Sequence, residues 1–566
     1  MRAFIAISKF MRIGCECMKK AVTGILLGSL LLAGAAALAA EPEGAEIKKD
    51  IEKEPVSAAL PKASLKAKGK GAMVFVPLDT RPVCKDYTIE TMKAAGWDIV
   101  VPPEEMLSSA DRAGKPDELL EWLEKESKEA VAVVVSADAL LYGGLVDSRT
   151  HHIDRTVLQS RVERLLSLKK KYNAPGVYVF VTIMRSPKAS AAPVEPVYYE
   201  EWGAKLFRQG ALRDKHELKG LSRKENKELQ QLNKEIPRNV EADFYGRRRT
   251  NFRTTELLLH GIESGGFNYL LVGRDDTSPL SQAHKEARDM ASLVYELPKS
   301  KIRFFSGADQ LGLVLLTQAA NRLTYSVPLV YTEFAQGKGG ATIPAYEDDP
   351  VSISAREHIY ASGAFPARKA KNADFILAVN TPYDGKTLEA SDARNTGVAD
   401  KNTKAFIDTV ESYLNHGKKV IVADSKYGNG SDNALVKELF RRGIAYKLAA
   451  YGGWNTSGNC LGFALAQGME SPNFAGDAGE DFLKVRYLDD WAYQANVRSQ
   501  VGAELVRNFG SYKYYYKLDD KLAFAEKRNT ELMQDFARKH MPNIPADFTV
   551  KNPWLRMFEC DVLFAK

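Results

Sequence analysis

Carboxylates and arginines recur in this sequence at one kind of place, directly after short apolar runs. Asp79 and Arg81 follow MVFVPL (73–78), Asp138 follows AVAVVVS (130–136), and Arg185 follows VYVFVTIM (177–184). Arg274, Asp275 and Asp276 follow YLLVG (269–273), and Asp309 follows KIRFFSG (301–307). In the second half, Glu333 comes after PLVYT (328–332) and Asp424 after KVIVA (419–423), while YKLAAYGG (446–453) leads into Trp454 and Asn455. A positioned carboxyl group can give a proton, take one or attack an electrophile, and two of them flanking a glycosidic bond suffice for its hydrolysis. An arginine fork binds carboxylate, phosphate or sugar hydroxyls and favours ionisation of an acid beside it. Asp79, Asp275, Asp276 and Asp424 are therefore candidate acid, base or nucleophile. Arg81, Arg149, Arg185 and Arg274 are candidates to orient a substrate. For any one Asp, the competing role is the cap or turn that starts the next helix.

The local contexts add detail. Pro82 biases Arg81 toward an extended backbone, which limits the freedom of the Asp79-Thr80-Arg81 turn. DALLYGGLVDSR (138–149) supplies Asp138, Tyr142 and Arg149 around Gly143-Gly144, where a ligand could approach the backbone closely. The adjacent acids Asp275 and Asp276 repel, which can hold one of them protonated near neutrality. ADSKYGNGSDN (423–433) makes a sharp loop around Asn429, with spacing unlike an EF-hand. Trp454 and Asn455 pair a flat aromatic with an amide, a combination suited to sugar rings or to plugging a core. There is no H-E-x-x-H, no G-x-S-x-G, no Walker loop and no dinucleotide fingerprint. No cofactor and no metal is expected, a site made of carboxylates alone being the open alternative.

Strands alternating with helical patterns, with polar groups gathered at the strands' C-terminal ends, predict α/β architecture with parallel sheets, because that edge is where such folds bind ligands. Two or more Rossmann-like lobes are expected, over 71–330 and 331–479, with a charged helical insertion near 202–238 and a helical region over 480–566. If the strand-end groups share one site, Asp79, Asp275 and Asp424 should lie in one cleft with several of the arginines.

The net charge of +7 first suggests a polyanionic partner. Its distribution argues otherwise. Residues 1–40 carry five basic and one acidic side chain, and residues 41–70 seven lysines and six acids, which leaves about +2 for the remainder. Nucleic acid is not an expected partner. From Met18, an alternative start, MKKAVTGILLGSLLLAGAAALAA reads as an export signal ending in small residues, so the mature chain is expected in the periplasm or outside the cell with no stable membrane insertion. An uncleaved anchor is the competing reading. Residues 41–70 are too poor in large apolar side chains to fold alone and read as a tether. Of five cysteines only Cys84, Cys460 and Cys560 fall in the body, too few for a disulfide framework.

VPLDTRPV, SADALLYGGLVDSR, GRDDTSP, ADSKYGNGSDN, AYGGWNTSGNCLG and RYLDDWAYQANVR, in this order, resemble the bacterial family catalogued as domain of unknown function 4127. Members often carry a second Asp where Thr80 stands and an Asn where Cys84 stands. The resemblance spans most of residues 72–500 and implies no reaction. From the residues, the leading expectation is a secreted hydrolase acting on a carbohydrate or cell-envelope glycan. The alternatives are a non-catalytic periplasmic binder of a polar or anionic ligand, and a metal-dependent phosphoryl or amide hydrolase.

Overall fold

A strand made of a continuous run of Val, Ile, Leu and Phe is buried on both faces when helices cover its sheet on each side. The computed structural model, which describes residues 70–564 apart from 173, 175, 189–193 and 546, shows this arrangement twice. The proposed export signal and all of the tether before Lys70 lie outside the described residues.

The first sheet has six parallel strands: β1 (Ala72–Val76), β2 (Asp98–Val100), β3 (Ala132–Ser136), β4 (Val177–Ile183), β5 (Tyr269–Arg274) and β6 (Ile302–Ser306), in the order β2-β1-β3-β4-β5-β6. β3 and β4 are buried at every position. The second sheet is built from β7 (Leu329–Phe334), β8 (Phe365–Pro366), β9 (Phe375–Asn380), β11 (Lys419–Asp424) and β13 (Ala450–Gly452). Its order is β13-β11-β9-β7-β8, again all parallel. Counted along the chain, both sheets place their second strand outside the first and the rest on the other side. In such doubly wound sheets the connections diverge beside the first strand and open a crevice at the carboxyl edge. A two-residue parallel pair, β10 (Leu388–Glu389) with β12 (Tyr427–Gly428), braces the loops beyond the second sheet.

The two sheets meet through helices. Leu311–Leu323 packs on β3 and β4, Ser457–Glu470 packs on β11 and β13, and the two helices lie against each other. The second helix also approaches the first sheet closely at its second residue: a Cβ on Gly458 would sit 2.2 Å from the Ser306 carbonyl oxygen, at the end of β6.

The charged insertion folds as helices Tyr199–Lys219, Arg223–Glu235 and Arg238–Glu263 around a small core that includes Leu206, Leu212, Val240 and Phe244. Buried Asp214 anchors it, accepting from Arg288 at 2.7 Å and from the Ser281 N–H at 3.2 Å and lying 2.6 Å from His284 Nδ1. The region after Glu480 is helical as expected, with a π-helical stretch, Tyr487–Val497, inside it. It ends in a hairpin of β14 (Phe548–Lys551) and β15 (Asp561–Phe564) absent from the sequence reading. Phe548 and Val550 are buried while Thr549 and Lys551 are exposed, an alternation only four residues long. Cys84, Cys460 and Cys560 are buried free thiols. No helix among the described residues is long and apolar enough to cross a membrane.

Gly458→Val should force the Ser306 contact apart, at a cost of about 1–3 kcal/mol by analogy with other overpacked sites. A lowered urea unfolding midpoint checks this; an unchanged midpoint would mean that the two sheets do not depend on that approach.

Candidate functional site

The carboxyl edges of both sheets open onto one cavity of about 520 Å³. After β1 comes Arg81, after β3 Arg149, after β4 Arg185, after β5 Arg274, Asp275 and Asp276, and after β6 Asp309. From the second half come Tyr346 in the β7–β8 connection, Asn429, Asn455 and Asn459. The C-terminal region closes the remaining side with Tyr515, Tyr516, Trp554, Arg556 and Phe558. The lining holds six basic side chains, with Lys188 the sixth, against three acidic ones. Asp79, Glu195, Asp348, Asp349 and Glu559 pair with these arginines from behind the lining, so the surroundings are not basic overall and the wall suits a polar ligand.

Three ion-pair groups hold the arginines. In the first, Arg81 Nε donates to both Asp79 oxygens at 2.9 and 3.0 Å, and Nη2 donates to Asp309 at 2.5 Å. Asp309 also accepts from Asn455 Nδ2 at 3.3 Å, and its N–H donates to Asn459 Oδ1 at 3.2 Å, so the end of β1 is tied through β6 to the loop after β13. The Arg81 guanidinium lies 5.7 Å from the Trp554 ring centre, within cation–π range. In the second group, Arg149 donates to Asp275 at 2.5 Å, and Arg185 donates to Glu195 at 2.5 Å and to Asp276 at 3.1 Å. Arg248 of the insertion fixes the backbone there by donating to the Met184 and Arg185 carbonyls at 2.6 and 2.8 Å. In the third, Arg274 donates to Asp349 at 2.5 Å and lies 3.2 Å from Asp348. With the arginines and Asp79, Asp309, Asp275, Glu195 and Asp348 largely removed from water, breaking one of their pairs would strand its mate, so these pairs fix geometry strongly whatever their net stabilisation.

The backbone is constrained as well. Seven described non-glycine residues have left-handed φ, and three of them line the cavity: Tyr346 (66°), Asn429 (60°) and Asn455 (63°). Asn enters this region readily, whereas a bulky Tyr does so only under constraint from its surroundings, and such residues gather at functional sites. Here the Tyr346 carbonyl accepts from the Thr277 N–H at 2.9 Å, and its hydroxyl donates to Glu389 at 2.5 Å.

Of the three acids that line the cavity Asp276 is the most exposed, with a quarter of its side chain accessible. Partial withdrawal from water, with Asp275 beside it, pushes its carboxyl up to about 6. Burial likewise raises Asp309, against the pull of Arg81.

Other expected site residues fall elsewhere. Asp79 is 1% exposed and stands behind Arg81 as its partner, not in the lining. Asp424 is fully buried, accepting from the Asp432 N–H at 2.7 Å, Tyr451 at 2.9 Å and Asn380 at 2.9 Å. It braces the end of β11 and lies outside the cavity wall, so the expected grouping of Asp79, Asp275 and Asp424 in one cleft holds only for Asp275. Asp138 is also buried, accepting from the Thr182 N–H at 2.9 Å and Oγ1 at 3.0 Å, which joins β3 to β4. Tyr142 is buried in a stack on His151. Trp454 plugs the core, edge-on to Phe463 and Phe558, and the aromatic wall comes instead from Trp554. The Cys84 thiol, 3.6 Å from Asp309, is pushed up by burial and is no nucleophile as it stands. Glu195, Asp309, Asp348 and Asp349 complete the site. Asp309 fits the strand-end pattern, but the others sit in connections whose course no local pattern reveals. Among the described residues, no group of three or more His, Cys, Asp or Glu side chains is arranged to hold a metal.

The chain belongs to the family described as "Protein of unknown function (DUF4127)", whose sequence profile matches residues 73–563. Comparison with curated proteins and with solved structures gives no match.

Burial pushes Asp138 up to about 7 and Asp424 up to about 6. Both exceed the ordinary Asp value, so between about pH 4 and 7 the folded chain holds protons that the unfolded chain has released, and stability falls as pH rises through that window. Asp138→Asn can keep both contacts with Thr182 without the ionisation. It should flatten the fall, read as the unfolding midpoint against pH; a slope equal to the parent's would refute the assignment.

Proposed function

We propose that this protein is a hydrolase acting on a glycan, with the cavity between the two sheets as its active site and Asp276 as the proton donor. The reading rests on one arrangement: three carboxyl groups, Asp275, Asp276 and Asp309, line a cavity together with arginines, amides and aromatic rings, among aliphatic and hydroxyl side chains. Arginine forks and amides suit hydroxyls and carboxylates, and aromatic faces suit the apolar side of a sugar ring. A general acid works best with a pKa near the working pH, and Asp276 meets that requirement better than an ordinary carboxyl group does. Asp275 and Asp309, each paired with an arginine, supply candidates for the base or nucleophile on the other side of the bond. The arginine forks can also hold the acid groups of glycans such as those of the bacterial envelope. An exported, periplasmic or extracellular location is part of this reading and is motivated by the residues after Met18.

The second reading is a binding protein for a polar or anionic ligand. It is favoured by a specific observation, that each of the three cavity carboxylates already has an arginine partner, as in a site built to hold a ligand without reacting.

Incubating the protein with neutral and acidic glycans and muropeptides, read by mass spectrometry, separates the two. Hydrolysis predicts a cleaved product from at least one of them, and Asp276→Asn should lower turnover by about 100-fold or more while binding persists. Binding with no product from any of them would favour the binder. Arg185→Ala should weaken binding of an acidic glycan more at low than at high salt, measured by calorimetry, since screening already reduces the contribution of its charge; an equal loss at both would rule out a charge-based role.

A further inference from the structure

The cavity does not end at its lining. Tyr515 and Tyr516 belong to the wall, and they continue outward into Tyr512. Tyr512 stacks on Tyr515 with ring centres 5.4 Å apart and planes 6° from parallel, and meets Tyr516 edge-on at 5.6 Å. Tyr515 is held from below, where the absence of a side chain at Gly502 lets its ring approach the helix Arg498–Phe509: a Cβ there would sit 2.8 Å from the ring. The outer rings are uncovered, Tyr512 being 56% and Tyr516 42% exposed. Aromatic rings gain by burial, and a fixed cluster left open next to a polar cavity is the usual mark of a binding surface. Its position selects the occupant. A ligand filling the cavity and extending past Tyr516 meets these rings next, and tyrosine, an apolar face with a polar tip, suits a ring that is apolar on one side and hydroxylated at its rim.

We propose that the ligand is a glycan chain longer than the cavity, and that Tyr512 and Tyr516 form a subsite for the sugar units that extend outside. This rests on the glycan reading of the cavity and adds chain length to it. The subsite holds the polymer and takes no part in proton transfer.

The test uses the Asp276→Asn protein, to prevent turnover, against an array of neutral and acidic oligosaccharides of two to eight units, with affinities measured by calorimetry for each series that binds. Affinity should rise with length beyond the units that the cavity encloses, and adding Tyr512→Ala should reduce the ratio of long-chain to short-chain affinity by about fivefold, of the size expected for one aromatic contact. Tyr512→Phe, which keeps the ring, should retain most of that ratio. Affinity independent of length, or Tyr512→Ala lowering short and long chains by the same factor, would overturn the subsite while leaving the glycan reading intact. Binding of no oligosaccharide of any length would overturn both.

Discussion

The structure depends on keeping charged groups paired where water is scarce. Arg81 is the clearest case. It is 5% exposed, its guanidinium is shared by Asp79 and Asp309, and Asp309 is in turn fixed by Asn455 and Asn459. Removing a single member would leave a buried charge without its partner, which is far more costly than the pair's own net contribution. This requirement couples the end of β1 to the end of β6 and to the loop after β13, so the strand ends cannot move independently. The Arg149–Asp275 and Arg185–Asp276 pairs extend the same constraint across β3, β4 and β5. The cavity is then less a gap between two lobes than the space that this lattice leaves open.

The lattice also explains how acids with different behaviour arise on one edge. Asp79 is enclosed with a bidentate arginine, and Asp424 is enclosed with amide, hydroxyl and backbone donors. Asp276 keeps part of its surface in the cavity. Position relative to solvent and to the nearest guanidinium separates a brace from a candidate for chemistry, although all three are Asp residues after a strand.

That distinction marks how far the sequence could be read. Apolar runs of β-branched residues are a local property, so β1, β3, β4, β5, β6, β7 and β11 were legible to within a few residues, and the parallel α/β class with them. β2, three residues long at a sheet edge, and the hairpin of β14 and β15 carry too few residues for a pattern. In the site, Arg81, Arg185 and Arg274 were legible because a strand or its first turn delivers each to the same edge, whereas Arg149 comes from the helix Leu145–Thr150 and was legible from its glycine-containing segment. Asp424 and Asp138 carry the same local signal and yet serve as internal braces, because the pattern tells which edge a side chain reaches and not whether it faces solvent or the next strand. Trp454 and Trp554 illustrate the same limit: each is a Trp near polar residues, and only the packing of Phe463 and Phe558 around the first makes it a core residue. Glu195, Tyr346 and Trp554 sit in long connections or in the C-terminal region, and no local feature places them.

The walls of the cavity come from positions as far apart as Arg81 and Phe558. Contacts so distant in sequence carry a large loop-closure cost and form late, after the locally determined strands and helices. A chain with only its first sheet assembled has arginines and aspartates at an open edge, without the amides of the second half or the aromatic side. A ligand that contacted all of these walls would find its full set of partners only in the finished molecule. A ligand that touches both halves draws population toward that finished state and away from half-assembled ones, which makes occupancy a form of quality control on folding.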